Sequence, residues 1–149
     1  MDFSVRRAEP ADLTSLTSFT VREAREAEDR ALERERVQEG IRRALEDDSI
    51  ARYWVVVKGD SVVGSLSVVR EWSDWKAGFY WWLQSVFILP EYRGRGLMTR
   101  LVDTVLEAAR QEAVPEIRLY VHSNNQRAVR AYRKSGFSDT SYRIMRMKI

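Results

Sequence analysis

The sequence predicts a single mixed α/β domain, a central and mostly antiparallel sheet flanked by helices, and three observations carry that expectation. β-rich apolar runs and segments of helical period follow one another in the order β-α-α-β-β-β-α-β-α-β. The 149 residues suffice for one hydrophobic core and are too few for two cores and a linker, so residues 1–149 are read as one domain. No internal repeat, low-complexity stretch or Pro/Gly-rich linker divides them.

Phe3 to Ala8 reads as a short strand, and Glu9-Pro10-Ala11-Asp12 supplies a break with helix-start chemistry. Leu13, Leu16, Phe19 and Thr20 begin a helical period. From Arg22 to Asp48 a narrow apolar stripe of Val37, Ile41, Ala44 and Leu45 runs through dense Glu and Arg, which predicts one or two amphipathic helices with solvated outer faces. Tyr53 to Lys58, the turn Gly59-Asp60 and Ser61 to Arg70 read as a hairpin. Phe79 to Leu89 is a long apolar strand that Pro90 ends. Leu97, Leu101 and Val105, with Met98, Val102 and Leu106, place a helix directly after Gly96. Ile117 to Val121 is the next strand, Asn124 to Ser135 a helix closed by Gly136, and Asp139 to Lys148 is expected to form the last strand.

Composition narrows the function. No apolar run approaches the roughly 20 residues of a bilayer span, and neither a secretory leader nor a disulfide framework is indicated in a chain without cysteine, so a cytoplasmic setting is expected. With one histidine and no cysteine, no metal site is expected and a Cys nucleophile is excluded. The net charge of +3 arises from interleaved acids and bases rather than a basic face, which argues against nucleic acid as a partner.

The turn Arg93-Gly94-Arg95-Gly96 lies between a strand and a helix. Such a turn gathers unpaired backbone N–H groups at the positive end of a helix, and glycine allows close backbone approach, so it is suited to a diphosphate. It carries neither a Walker Lys-Ser/Thr nor a full Gly-x-Gly-x-x-Gly, which disfavours nucleoside triphosphate and dinucleotide folds.

The stretch Val86 to Leu97 resembles the coenzyme A motif of the GNAT acetyltransferase superfamily, Arg/Gln-x-x-Gly-x-Gly/Ala. Arg93 and Gly96 match it, and Met98 departs from it at the last small position. Downstream, Asn125-x-x-Ala128-x-x-x-Tyr132-x-x-x-Gly136-Phe137 is similar to the superfamily's second hallmark. The resemblance covers nearly the whole chain. It implies the GNAT fold, acetyl-CoA as co-substrate, and an amine acceptor that is either a small molecule or a protein. It also implies that the backbone of Val86, Phe87 and Ile88 pairs with the pantetheine arm, and that Gly94, Arg95, Gly96, Leu97, Met98 and Thr99 hold the pyrophosphate beside Arg93. Asn125 would contact the cofactor or cap its helix, and Tyr132 would protonate the departing thiolate.

Relatives commonly take the amine proton with a Glu on the central strand or on the strand after the helix. Trp82, Gln84 and Tyr120 occupy those positions here and are expected to face the acceptor. His122 is then the candidate base, with Glu26 and Glu28 as alternatives that could also bind a cationic amine. Trp72, Trp75, Trp81 and Trp82 could wall an apolar acceptor, pack a hairpin or contact a second subunit. A sheet edge near the C-terminus leaves a homodimer open. The expected activity is N-acetylation by direct attack. The alternatives are a catalytically silent acyl-CoA sensor, suggested by the missing Glu, and a basic nucleic-acid module.

Overall fold

A computed structural model describes residues 2–149. It contains β1 (Phe3–Arg7), α1 (Leu13–Glu28), α2 (Arg34–Glu46), β2 (Arg52–Lys58), β3 (Ser61–Ser73), β4 (Gly78–Ile88), α3 (Leu97–Gln111), β5 (Ile117–Leu119) and α4 (Gln126–Lys134). The five strands form one sheet in the order β1-β2-β3-β4-β5. The first four are antiparallel neighbours, and β5 runs parallel to β4.

Strand alternation divides β2 between two apolar layers. Trp54 and Val56 point to the face that α3 covers with Leu97, Leu101, Val102 and Val105. Val55 and Val57 point to the opposite face, where Leu16 of α1 and Ile41 of α2 close over them. The α3 stripe anticipated at Leu97, Leu101 and Val105 is the buried one, and the charge-rich span from Arg22 to Asp48 holds the end of α1 and all of α2. Asp12 is buried and held by the Arg6 guanidinium at 2.8 and 3.1 Å, which locks β1 to the start of α1. No helix of the described residues is long and apolar enough to cross a membrane.

Two expectations need correction at the C-terminal end. β5 stops at Leu119, so Tyr120 and Val121 lie outside it, exposed. The last strand expected over Asp139 to Lys148 does not form: no regular structure follows Gly136. A strand needs a neighbour to complete its backbone hydrogen bonds, and β5 offers three residues of edge. The tail passes it with only the Arg118 guanidinium over the Tyr142 ring, 5.8 Å from its centroid.

Candidate active site

The cleft exists because β4 changes register. Leu66 faces Val86 and Val68 faces Leu83, so Gln84 and Ser85 together oppose the single residue Ser67. This bulge frees the Ser85 N–H, which donates to Ser67 Oγ at 3.1 Å. On its other side β4 pairs with β5 only through Trp81, Trp82 and Leu83. Past the bulge the two parallel strands part. Val86, Phe87 and Ile88 remain bonded to β3 along one edge and present the other to a cleft of about 780 Å3.

The floor of the cleft is the turn between β4 and α3. Gly94 and Gly96 have φ of +76° and +75°, left-handed values that favour glycine. A Cβ at either would meet nothing within 4 Å, so open space lies directly above the turn. The first backbone bond at the start of α3 is from the Arg100 N–H to the Gly96 carbonyl, 3.1 Å. No side chain caps this end. The N–H groups of Leu97, Met98 and Thr99 therefore have no acceptor among the described residues, although all three residues line the cleft. These are the residues a diphosphate would need, and the space is present.

Arg93 is placed otherwise than a phosphate fork would be. Its Nε donates to the Ile88 carbonyl at 2.8 Å and its Nη2 meets Glu26 at 2.8 Å, so it ties the turn to β4 and to α1. Glu26 is thereby engaged. Arg95 leans over the Tyr92 ring, 5.5 Å from its centroid, outside the cleft lining.

The opposite wall is the start of α4. Asn125 caps that helix from outside, its Oδ1 accepting from the Ala128 N–H at 3.2 Å, and it still lines the cleft. One face of the helix carries Ala128 and Tyr132 into the cleft. The Tyr132 ring stands edge-on to Phe137, centroids 5.8 Å apart. Burial, reinforced by the nearby Glu23 carboxylate, pushes the Tyr132 hydroxyl up to about 12.

Glu23, from α1, reaches the cleft beneath β4. Its Oε2 is buried without a hydrogen-bond partner. Burial and the carboxylates of Glu28 and Glu26 push the Glu23 carboxyl up to about 8, against the opposing pull of the Val86 N–H. The Tyr53 hydroxyl, raised mainly by burial, also feels Glu23. Gln84, Tyr120, His122 and Glu28 line the same cleft. His122 sits in the exposed turn after β5, where its Nδ1 accepts from the Asn124 N–H at 3.2 Å. Trp82 lies behind the lining, stacked on Tyr120 at 4.4 Å and bonded through Nε1 to Glu71 at 2.9 Å.

Residues 13–137, most of the chain, match the sequence model of the Acetyltransferase (GNAT) family. The chain belongs to this family. Among curated relatives, a thialysine N-epsilon-acetyltransferase of Bos taurus is 33% identical over 82 residues, 55% of this chain and 48% of the bovine protein. The matched segment thus spans about half the length of the curated relatives. Among solved structures, a possible acetyltransferase from Clostridium difficile 630 superposes with a TM-score of 0.93 at 28% identity, over 99% of this chain and 97% of the other. A predicted acetyltransferase from Clostridium acetobutylicum, solved with acetyl-CoA, shares the fold at a TM-score of 0.82 and 16% identity, over 98% of this chain and 96% of its own.

Within this GNAT domain the aromatic cluster is not one wall. Trp81 is core, 1% exposed, whereas Trp72 and Trp75 are 58% and 86% exposed at the far end of the β3–β4 hairpin. Glu23 is the cleft residue that sequence reasoning missed. Its signal was available: Leu16, Phe19 and Glu23 follow the i, i+3, i+7 spacing of one helix face, so this carboxylate stands on the side of α1 that packs inward.

Proposed function

We propose that this GNAT domain is an N-acetyltransferase that moves the acetyl group of acetyl-CoA to a primary aliphatic amine by direct attack. The observation that carries the proposal is one cleft combining an anion-receptive turn, an edge of β4 that no strand covers, a protonated Tyr132 and a half-buried Glu23 whose Oε2 has no partner. Acetyl-CoA would supply the acyl group as a thioester. The N–H groups of Leu97, Met98 and Thr99 would receive its pyrophosphate, and the edge of Val86, Phe87 and Ile88 would align its arm and polarise the thioester carbonyl.

The neutral amine nitrogen bonds to the carbonyl carbon as the C–S bond breaks. Tyr132 gives its proton to the departing sulfur, and Glu23 takes the surplus proton from the new amide nitrogen. Glu23 thereby supplies the carboxylate whose apparent lack motivated the silent-sensor alternative. The bovine relative's name specifies an ε-nitrogen, which favours an aliphatic amine acceptor here too. The cysteine-free composition suits a cytoplasmic setting.

Thiol release from acetyl-CoA, measured over a panel of aliphatic and aromatic amines, tests the activity; a cofactor-binding protein that releases no thiol with any amine would refute it. The turn is tested separately. Acetyl-CoA above its dissociation constant raises Tm of the native protein by mass action, and Gly96→Val, which puts a branched side chain into the space above the turn, removes that shift. An undiminished shift in a folded Gly96→Val protein would locate the diphosphate elsewhere. His122→Gln is expected to leave the dependence of kcat/KM on pH unchanged, because the imidazole is exposed in its turn. Loss of a pH limb in that variant would transfer the base to His122.

A further inference from the structure

Glu23 sits between two anchors on one face of α1. Phe19, Glu23 and Glu26 follow the i, i+4, i+7 spacing of that face. The first anchor is Phe19, which is buried and stacks on Phe87 of β4 at 5.3 Å, with the Arg22 guanidinium 5.4 Å from the same ring's centroid. Past Phe19 no residue of α1 is buried. The helix is then capped by Asp29 at a left-handed φ of +50°, and no regular structure follows before α2.

The second anchor is Arg93. Its Nη2 meets Glu26 at 2.8 Å, its Nε donates to the Ile88 carbonyl at 2.8 Å, and its guanidinium lies 5.2 Å from the Phe87 ring centroid. One side chain thus joins the turn it belongs to, the edge of β4 and the end of α1. Among the described residues this is the one ion pair from the unburied end of α1 to another element, since Arg25 pairs only with Asp29. Both partners are partly open to water, and an exposed pair adds little to the stability of a fold. What the bond fixes is a position: it sets the end of α1 against the edge of Val86, Phe87 and Ile88.

We propose that Arg93 is a positioning residue rather than a phosphate ligand: through Glu26 it latches the end of α1, and so holds Glu23 at the depth where it meets the amine attacking a thioester laid along β4. The inference rests on the acetyl-transfer reading and on Glu23 as its base. To reach a diphosphate Arg93 would have to leave both Glu26 and the Ile88 carbonyl. Without the pair the end of α1 is free to swing about Phe19, and a small displacement of a catalytic group costs rate steeply. The N–H groups of Leu97, Met98 and Thr99 belong to another element and lose nothing. Breaking the latch therefore lowers turnover and spares the cofactor.

Glu26→Gln and Arg93→Gln should each lower kcat by about tenfold or more, with KM for acetyl-CoA and the acetyl-CoA shift in Tm unchanged. The double variant should be no slower than the slower single one, because both substitutions remove the same bond. Hydrogen exchange on the protein without cofactor reads the latch directly. Amides of Ala24 to Glu28 should exchange about tenfold or more faster in either variant, while those of Leu16 to Phe19 keep native rates. A lost Tm shift in Arg93→Gln beside full kcat in Glu26→Gln would make Arg93 a phosphate ligand and overturn the proposal. Additive losses in the double variant, or native exchange at the end of α1 in both single variants, would overturn it too. The two readings fail separately: a native chain that releases no thiol with any amine removes the acetyl-transfer reading and this inference with it, whereas native release with full rates in both variants removes the latch alone.

Discussion

Tyr132→Phe is expected to lower the rate of acetyl transfer by about 10²-fold or more while leaving acetyl-CoA affinity nearly unchanged. The substitution keeps the ring and its edge contact with Phe137 and removes only the hydroxyl. With its pKa pushed up to about 12, that hydroxyl is protonated across the working range and always available as a donor. A thiolate leaves with a pKa near that of cysteine, about 8.5, so unassisted departure is possible and some rate should survive. Steady-state thiol release and the acetyl-CoA shift in Tm, measured on the same preparation, separate the two effects. An unchanged kcat would return Tyr132 to a packing role, and a lost Tm shift with proportionate loss of rate would make it a binding residue.

Glu23→Gln should be as damaging, and its effect should depend on pH. Below about 8 the native carboxyl holds its proton and cannot accept another, so kcat/KM rises with pH up to that value and then levels. In the variant this limb disappears and the rate at pH 9 falls by about 10²-fold. The amine's own ionisation also raises the rate with pH, so a weakly basic acceptor must be compared with a strongly basic one. A limb that follows the acceptor would belong to the substrate.

The same substitution affects stability with a definite sign. The carboxyl titrates at about 8 in the folded protein against 4.5 ordinarily, so the folded state holds the proton more tightly than the unfolded one. Native stability is therefore fully present below about 4.5 and falls as pH rises through 8. Gln imitates the protonated carboxyl at every pH. The variant should match the native Tm at low pH and exceed it at pH 9, a gain in stability accompanying a loss of activity. A constant difference across the range would mean that Glu23 is not buried in the way its Oε2 indicates.

The turn was legible from sequence because its chemistry is local. Pro90, two glycines and an apolar period beginning at Leu97 dictate a strand, a left-handed turn and a helix start without help from the rest of the chain. The hairpin at Gly59-Asp60 and the buried stripe of α3 were legible for the same reason. Glu23 was obscured by the charge density of its surroundings, where an inward carboxylate looks like one more solvated acid unless the helix face is counted. Asn125 is a cap because α4 starts at Gln126, two residues later than the expected start at Asn124, and capping competes locally with ligand contact. The Trp residues cluster in sequence, but the alternation of β4 and the length of its hairpin scatter them from core to tip. The tail reads as a strand from its apolar content, but the identity of its neighbour is not local information.

The bulge at Gln84 and Ser85 also makes β4 a strand whose parity changes. Before it the odd residues Trp81 and Leu83 enter the α3 layer; after it Ile88 does, and the odd residue Phe87 turns to the other face to stack on Phe19 at 5.3 Å. The residues that enter the α3 layer are thus odd-numbered before the bulge and even-numbered after it. The protein should therefore tolerate many substitutions at positions 84 and 85 far better than the deletion of either. A deletion would restore strict alternation, exchange the partners of every residue from Val86 to Ile88, and zip shut the edge on which the cleft depends.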